Sequence, residues 1–311
     1  MRFFRECLRH RRYFSPDRLL HSDKAAAPDQ EMRNELPSGV ALELLLEEAE
    51  QEVTLNFYRG MPDALSRDCN ITHARMGNLL RLTARTIDRP MFNRVMGLGV
   101  GAPATEAQLD SVIAHYQRTL GMPRVERFMI QVLPHVQTPE LETWLALRGL
   151  KKLRGWAMFL GSTATPTKSE PSLRIERVLP SECVLWGDIC VRALGMPENL
   201  RPWLQSLRYA DWNLYLGYDG DTPVSCGGLY WGSNFATLAF GASLPHARGQ
   251  GWQSAMIMRR IADAGEAGYR HIVTVTEEQT SDHPNPCYRN LERFGLKVQF
   301  VRSNWGPSTI N

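Results

Sequence analysis

The sequence lacks a long apolar run. No stretch approaches 18 consecutive apolar residues, which argues against a transmembrane span and against membrane partners. It also lacks a surplus of charge of one sign: 36 basic residues face 33 acidic ones, and a net +3 leaves no basic footprint for a nucleic acid. No CxxC or Cys/His spacing occurs among Cys7, Cys69, Cys183, Cys190, Cys226 and Cys287. Such scattered cysteines read as reduced, mostly buried thiols, so neither disulfides nor a metal site is expected. The first 31 residues are Arg-rich and carry Phe3, Phe4 and Phe14, yet they have no continuous apolar segment of the signal-peptide kind. They read as a loose arm, with Met32 as an alternative start. The 311 residues, 43% of them hydrophobic, suffice for two cores, and the composition as a whole is that of a two-domain cytoplasmic protein.

What is present is punctuated by glycine and proline. Residues 39–57 follow a helical period, with Leu42, Leu45, Leu46 and Ala49 on one side and acidic residues opposite. Irregular or helical chain is expected from there to Arg85. Residues 91–101 read as a strand breaking into a loop, and Thr105-Glu106-Ala107-Gln108 is a capping box for a helix ending at Gly121. Residues 127–133 form a strand, Thr138-Pro139 opens a short helix that ends at Gly149, and residues 156–160 form another strand. Gly97, Gly99 and Gly101 do not fit a dinucleotide fingerprint, so a structural turn is expected there. Residues 161–172 (GSTATPTKSEPS) are the best linker in the chain.

Beyond it, residues 172–178 alternate as a strand, and residues 182–194 and 200–207 are helical. Strands at 214–218 and 223–230 flank Asp219-Gly220-Asp221 as a hairpin, and a third strand covers 236–242. The next helix ends at Gly268. It shows Ala255, Met258, Ile261 and Ala262 on one face, with Arg259, Arg260, Asp263 and Glu266 on the other. A strand at 271–275, a short helix opened by Asn285-Pro286 and closed by Gly295, and a strand at 296–301 complete the chain. Residues 127–160 and 270–302 thus repeat one order: strand, loop, Pro-opened helix ending in Gly, strand. A mixed α/β unit duplicated in tandem accounts for the repeat.

Between the third strand and its helix stands Pro245-His246-Ala247-Arg248-Gly249-Gln250-Gly251-Trp252. Four N–H groups at a helix start lack backbone partners, and the helix dipole adds about half a positive charge there. Gly249 and Gly251 leave the backbone open to a phosphate, and Arg248 adds a charged fork. Loop and order together resemble the GCN5-related N-acetyltransferases. Arg248-Gly249-Gln250-Gly251 looks like that family's pyrophosphate loop, and the segment from Asn285 through Asn290 and Leu291 to Gly295 is similar to its C-terminal helix.

The resemblance covers about residues 173–302 and implies a mixed α/β (α+β) fold of two tandem units, each a mostly antiparallel twisted sheet flanked by helices. The implied organisation is an arm over 1–37, a non-catalytic first repeat over 38–162, a linker over 163–172 and an acetyl-CoA-binding domain over 173–311. It further implies acetyl-CoA as acyl donor, Leu238, Phe240, Ala242 and Ser243 along the pantetheine arm, and a pyrophosphate held by Arg248, Gly249, Gln250, Gly251, Trp252 and Gln253. Asn285 and Asn290 would lie near the pantetheine or adenine end. The implied activity is acetyl transfer to a primary amine of a small-molecule or peptide acceptor, by a monomer or homodimer. Two departures stand out: Gln253 replaces a small loop residue, and Leu291 occupies the position of the family's general-acid tyrosine. A non-catalytic acyl-CoA-binding sensor or scaffold is therefore the alternative.

Amine acylation needs a neutral nucleophile and a proton for the departing thiolate. Glu277 and Glu278, just past a strand, are the candidate bases, against ordinary solvated carboxylates. Tyr288 is the candidate acid, with Tyr230 as a weaker alternative. Cys287 reads as a small buried residue rather than an acyl carrier. Trp203, Trp212, Tyr215 and Trp231 read as core before acceptor wall.

Overall fold

The computed structural model describes residues 36–87, 89–120, 127–164, 173–207 and 211–307. The first half begins with helices α1 (Gly39–Arg59) and α2 (Asp63–Asp68), then strands β1 (Ile71–Met76), β2 (Leu79–Ala84) and β3 (Arg94–Met96). It continues with α3 (Glu106–Leu120), β4 (Met129–Val132), α4 (Pro139–Leu147) and β5 (Leu150–Ser162). The second half runs β6 (Arg174–Arg177), α5 (Cys183–Leu194), α6 (Arg201–Ser206), β7 (Trp212–Asp219), β8 (Thr222–Trp231) and β9 (Ala236–Ser243). It closes with α7 (Trp252–Glu266), β10 (His271–Glu277), α8 (Pro286–Arg293) and β11 (Lys297–Pro307). Residues 1–35 of the expected arm and 165–172 of the expected linker lie outside the described residues.

All eleven strands join one sheet in the order β1-β2-β3-β4-β11-β5-β10-β9-β8-β7-β6. Only β3–β4 and β9–β10 are parallel; the other neighbours are antiparallel. The two halves meet by exchange. The last strand of the second half, β11, lies between β4 and β5 of the first, and β5 lies between β10 and β11 of the second. Long β5 and β11 pair with each other from Lys297↔Leu160 to Pro307↔Leu150. They exceed the strands expected at 156–160 and 296–301, because each serves two sheets' worth of partners.

Alternating side chains assign the helices to faces. Leu214 and Leu216 of β7 point into a core with Phe57 of α1, Trp186 of α5 and Trp203 of α6. Tyr215 points the other way, into a core with Met256, Ile257 and Ile261 of α7 and Leu291 of α8. In the first half Leu80 and Leu82 share the α1 face, while Leu79 joins α3 and α4 on the other.

Two expectations need correction, and one is extended. Residues 71–84 are a hairpin, not irregular or helical chain: Ile71↔Ala84 through Met76↔Leu79 pair across a turn in which Gly77 takes φ 61. The β1 side is mostly exposed, so it carries too few apolar residues to announce itself as a strand. The acidic side of α1, opposite the apolar one, is buried as well. Glu43, Glu47 and Glu50 are buried, because Arg94 of β3 and Arg302 of β11 meet Glu47 and Glu50, and His135 meets Glu43 at 2.6 Å. Arg94 lies 3.2 Å from Glu50, and Arg302 lies 3.2 Å from Glu47 and also pairs with Glu50. Last, α7 is rotated from its expected face. Met256, Ile257, Arg260, Ile261 and Ala264 point inward and Ala262 outward, because the stripe that meets the sheet runs through positions 256, 260 and 264.

Candidate functional site

The site begins where β9 and β10 part. These parallel strands pair only at Ala236↔Ile272 and Thr237↔Val273. Beyond that point the Thr274 hydroxyl donates to the Leu238 carbonyl at 2.8 Å, and the strands share no further register. On its other side β9 bulges: Ala239 faces Gly228 and Ala242 faces Cys226, so Phe240 and Gly241 together stand opposite Gly227. Phe240 holds φ 54, a costly conformation for a bulky residue. Its ring is held among Phe57, Trp186 and Trp212, with centroids 5.5, 5.7 and 5.5 Å away.

After β9 the chain makes a single 3-10 turn over Pro245–Ala247 and enters α7 through Gly249 at φ 77 and Gly251 at φ 90. A β-carbon at Gly249 would meet nothing within 4 Å, so glycine is required here by backbone angle rather than by space. Gly251 is the N-cap and supplies no side chain to the helix start. Among the described residues, the backbone N–H groups from Gly249 to Ser254 have no partner, and the helix's own bonding starts with Ala255 N–H to the Gly251 carbonyl at 3.0 Å. Six unpartnered donors at the positive end of a helix are an arrangement suited to an anion. The Arg248 guanidinium reaches back to the carbonyls of Ser243, at 3.4 Å, and Ala193, at 3.5 Å, tying the loop to the last turn of α5.

The matching loop of the first half is built differently. The Thr105 side chain accepts from Gln108 N–H at 3.2 Å, and the Gln108 side chain accepts from Thr105 N–H at 3.1 Å, so the helix start is capped by its own residues. Asn78 holds the loop through the Val100 carbonyl at 3.0 Å, and the Arg94–Gln131 bond at 3.2 Å bridges β3 and β4. A cleft of about 290 Å³ remains beside Gly97–Gly101.

The residues expected around the gap fall into two groups. Near it, Asn290 donates to the Gln253 side chain at 2.5 Å, joining α8 to the first turn of α7. Cys287 is largely enclosed, and burial raises its thiol pKa, which disfavours a thiolate. Asn285 accepts from Cys287 and Tyr288 N–H and donates to Thr276 and to the Glu277 carbonyl, so its polar atoms serve the helix start. Leu238 is buried in the α7 core, and Leu291 fills the same core from α8.

The side chains of the expected acid and bases turn to β5. Glu277 pairs with Arg154, and Glu278 accepts from Gly155 N–H at 2.6 Å, both anchored on β5. Tyr288 packs edge-on to Phe159 at 4.8 Å, and burial, then Glu292 and Glu278, raise its pKa. Tyr230 lies elsewhere, on a cleft of about 490 Å³ with Glu52, Arg59 and Arg75. Trp203, Trp212 and Tyr215 are core residues whose polar atoms reach Phe57, Asn56 and Asp263.

Sequence reasoning missed Arg260. It is 2% exposed, and its Nε donates to Met256 O at 2.9 Å while Nη1 donates to Gly228 O and Ala239 O, both at 2.9 Å. The signal was the i, i+4 stripe Met256–Arg260–Ala264, which places an arginine on the apolar face. Burial lowers its pKa to about 10, leaving it cationic at neutral pH.

Among the described residues no helix is long and apolar enough to cross a membrane, and no cluster of side chains is suited to a metal ion. No protein-family model and no curated protein matches the sequence. Solved structures do. The chain is similar to a GCN5-related N-acetyltransferase from Kribbella flavida, with TM-score 0.60 and 13% identity over 86% of this chain and 96% of that one. It is similar to a functionally unknown conserved protein from Staphylococcus epidermidis, at 0.56 and 11% over 79% and 98%. A GCN5-related N-acetyltransferase from Sphaerobacter thermophilus gives 0.53 and 12% over 75% and 81%. With identities this low the likeness is one of fold. The chain has the fold of the GCN5-related N-acetyltransferases.

Proposed function

We propose that the second half of the chain binds acetyl-CoA and transfers its acetyl group to a primary amine of a small-molecule or peptide acceptor. The observation that carries this reading is the run of unpartnered N–H groups from Gly249 to Ser254, directly beside the parted strands β9 and β10. Each hydrogen bond to a charged oxygen contributes roughly 1.5–3 kcal/mol, so three or four would anchor a pyrophosphate. The exposed backbone of residues 238–243 would pair with the pantetheine arm as an added strand does. The first half, self-capped at Thr105, offers no equivalent cradle among its described residues and serves the fold instead.

In the transfer, the amine lone pair attacks the thioester carbonyl, a C–N bond forms, and the C–S bond breaks with its electron pair going to sulfur. The amine loses a proton, and the thiolate gains one. Tyr288, Glu277 and Glu278 remain the candidates for these proton transfers, acting directly or through water. Calorimetric titration of the full chain with CoA and acetyl-CoA tests the reading. A dissociation constant in the range of about 1 μM to 1 mM, ordinary for enzyme substrates, supports it. No binding of either up to about 1 mM ends it.

A second reading has specific support: acyl-CoA binding without turnover. Leu291 is buried apolar packing in place of the family's tyrosine, and both candidate carboxylates are already engaged by β5. It requires CoA binding with no thiol release for any amine in a broad panel, and a single amine that is turned over rejects it.

A further inference from the structure

The Arg260 side chain is a buried cation with no anion. None of the ion pairs among the described residues includes it, and the ionisable groups that act on it are the Tyr215 hydroxyl and the Cys226 and Cys287 thiols, not carboxylates. Desolvating a guanidinium costs several kcal/mol unless a partner charge or hydrogen bonds offset it. Here Nε and Nη1 have three carbonyl acceptors, from Met256, Gly228 and Ala239. Nη2 has no acceptor among the described residues.

The direction of Nη2 is fixed by the glycines around it. A β-carbon on Gly241 would lie 3.0 Å from Nη2, and one on Gly227 would lie 3.1 Å from the guanidinium carbon and 2.8 Å from Met256. Glycine at these two positions lets α7 press its arginine against the β9 bulge. The head of the side chain therefore sits at residues 239–241, the stretch of β9 that β10 has ceased to cover. Cys287, across the same gap on α8, is close enough to feel its charge.

We propose that Arg260 is a catalytic residue of the acetyl-CoA site, its Nη2 meeting the thioester sulfur at the β9 bulge and stabilising the thiolate as the C–S bond breaks. This rests on the acetyl-CoA reading above and adds to it the group that receives the developing negative charge. The bond changes are those of the transfer: the electron pair of the C–S bond passes to sulfur, where the guanidinium opposes it, and a proton later returns to sulfur. No redox partner is involved. A preformed, buried cation needs no reorganisation when the charge appears, which is the condition under which such groups act most strongly. It also gives a leaving-group role to a molecule whose C-terminal helix carries leucine where relatives of its fold family carry the tyrosine acid.

The test reads the sulfur directly. Free CoA is bound to the full chain, and the thiolate absorbance in the far ultraviolet is titrated against pH, with protein alone subtracted to remove its own thiols and tyrosines. The expected result is a bound thiol at least about one pH unit more acidic than in free CoA, a tenfold shift in its ionisation constant. Arg260→Lys should keep most of that shift, since it retains the charge, and Arg260→Gln should abolish it while still binding CoA through the Gly249–Ser254 loop. Should Arg260→Gln fail to fold, the wild-type protein alone still decides. Its preference for CoA over desulfo-CoA should rise about tenfold per pH unit between the bound and free thiol pKa values. An unshifted bound thiol, or a glutamine variant that retains the shift, overturns the inference while leaving the acetyl-CoA reading intact. Absence of CoA binding overturns both.

Discussion

Replacing Arg302 with methionine removes the cation at the centre of the shared sheet without opening a large void. The wild-type guanidinium is fully buried on β11 and faces Glu47 and Glu50 of α1, which are 2% and 7% exposed. Methionine leaves Glu50 with Arg94 as its one remaining cation and Glu47 with only the Gln51 side-chain amide. Breaking one partner of a buried ion pair costs about 3–5 kcal/mol, against less than about 1.5 kcal/mol for the change in packing volume alone. At roughly 2–4 °C per kcal/mol for a chain of this order of size, the melting temperature should fall by about 6–20 °C. Urea unfolding of wild type and Arg302→Met at neutral pH, followed by circular dichroism, measures the loss. The electrostatic origin has its own signature: mild acidification, which neutralises carboxylates, should narrow the gap between the two proteins. A loss under about 1 kcal/mol, or one that stays constant from neutral pH to pH 5, would refute the claim that the pairing is what Arg302 provides.

Other outcomes follow from single contacts. Arg248→Glu reverses the charge at the loop and should weaken CoA binding tenfold or more by calorimetry; an unchanged dissociation constant would move the pyrophosphate elsewhere. Thr105→Ala removes the α3 cap at a cost of about 0.5–2 kcal/mol in urea unfolding and should leave CoA affinity unaltered. His115, which shares a hydrogen bond with Thr83 at 3.1 Å, has its pKa lowered to about 4, first by burial and then by Arg81 and Arg118. The folded state holds it neutral, so stability is unaffected above the unfolded pKa of about 6.5 and falls as pH drops from there towards 4. His115→Gln should flatten that part of the stability profile, and an unchanged slope would show that other groups set it.

Much of the fold was legible because its turns are written in glycine and proline. Thr138-Pro139, Asn285-Pro286, Gly149 and Gly295 bound their helices as local chemistry requires, with positive φ at both glycines. The second half's hairpins were readable for the same reason. What was not readable is tertiary. Lys151, Lys152 and Arg154 look like loop residues, yet they lie in β5, where β11 supplies the pairing. Nothing local says that each half's final strand crosses into the other. The buried glutamates of α1 look solvated until Arg94 and Arg302 arrive from strands 44 or more residues away. Arg260 was misplaced because polar residues are assigned outward by default, and only the contact with Gly227 and Gly241 turns it in.

The crossing of β5 and β11 has a consequence for inheritance. Had each repeat kept its own last strand, the first, with its self-capped helix, would be free to be lost as the duplicate diverged. Instead the second repeat borrows β5 to cover β10, the strand that forms one wall of the candidate site. A gene shortened to the second repeat would encode a sheet with β10 bared along one side and β11 stranded from its neighbour. The exchange therefore ties the two halves together: the second cannot cover β10 without β5 of the first.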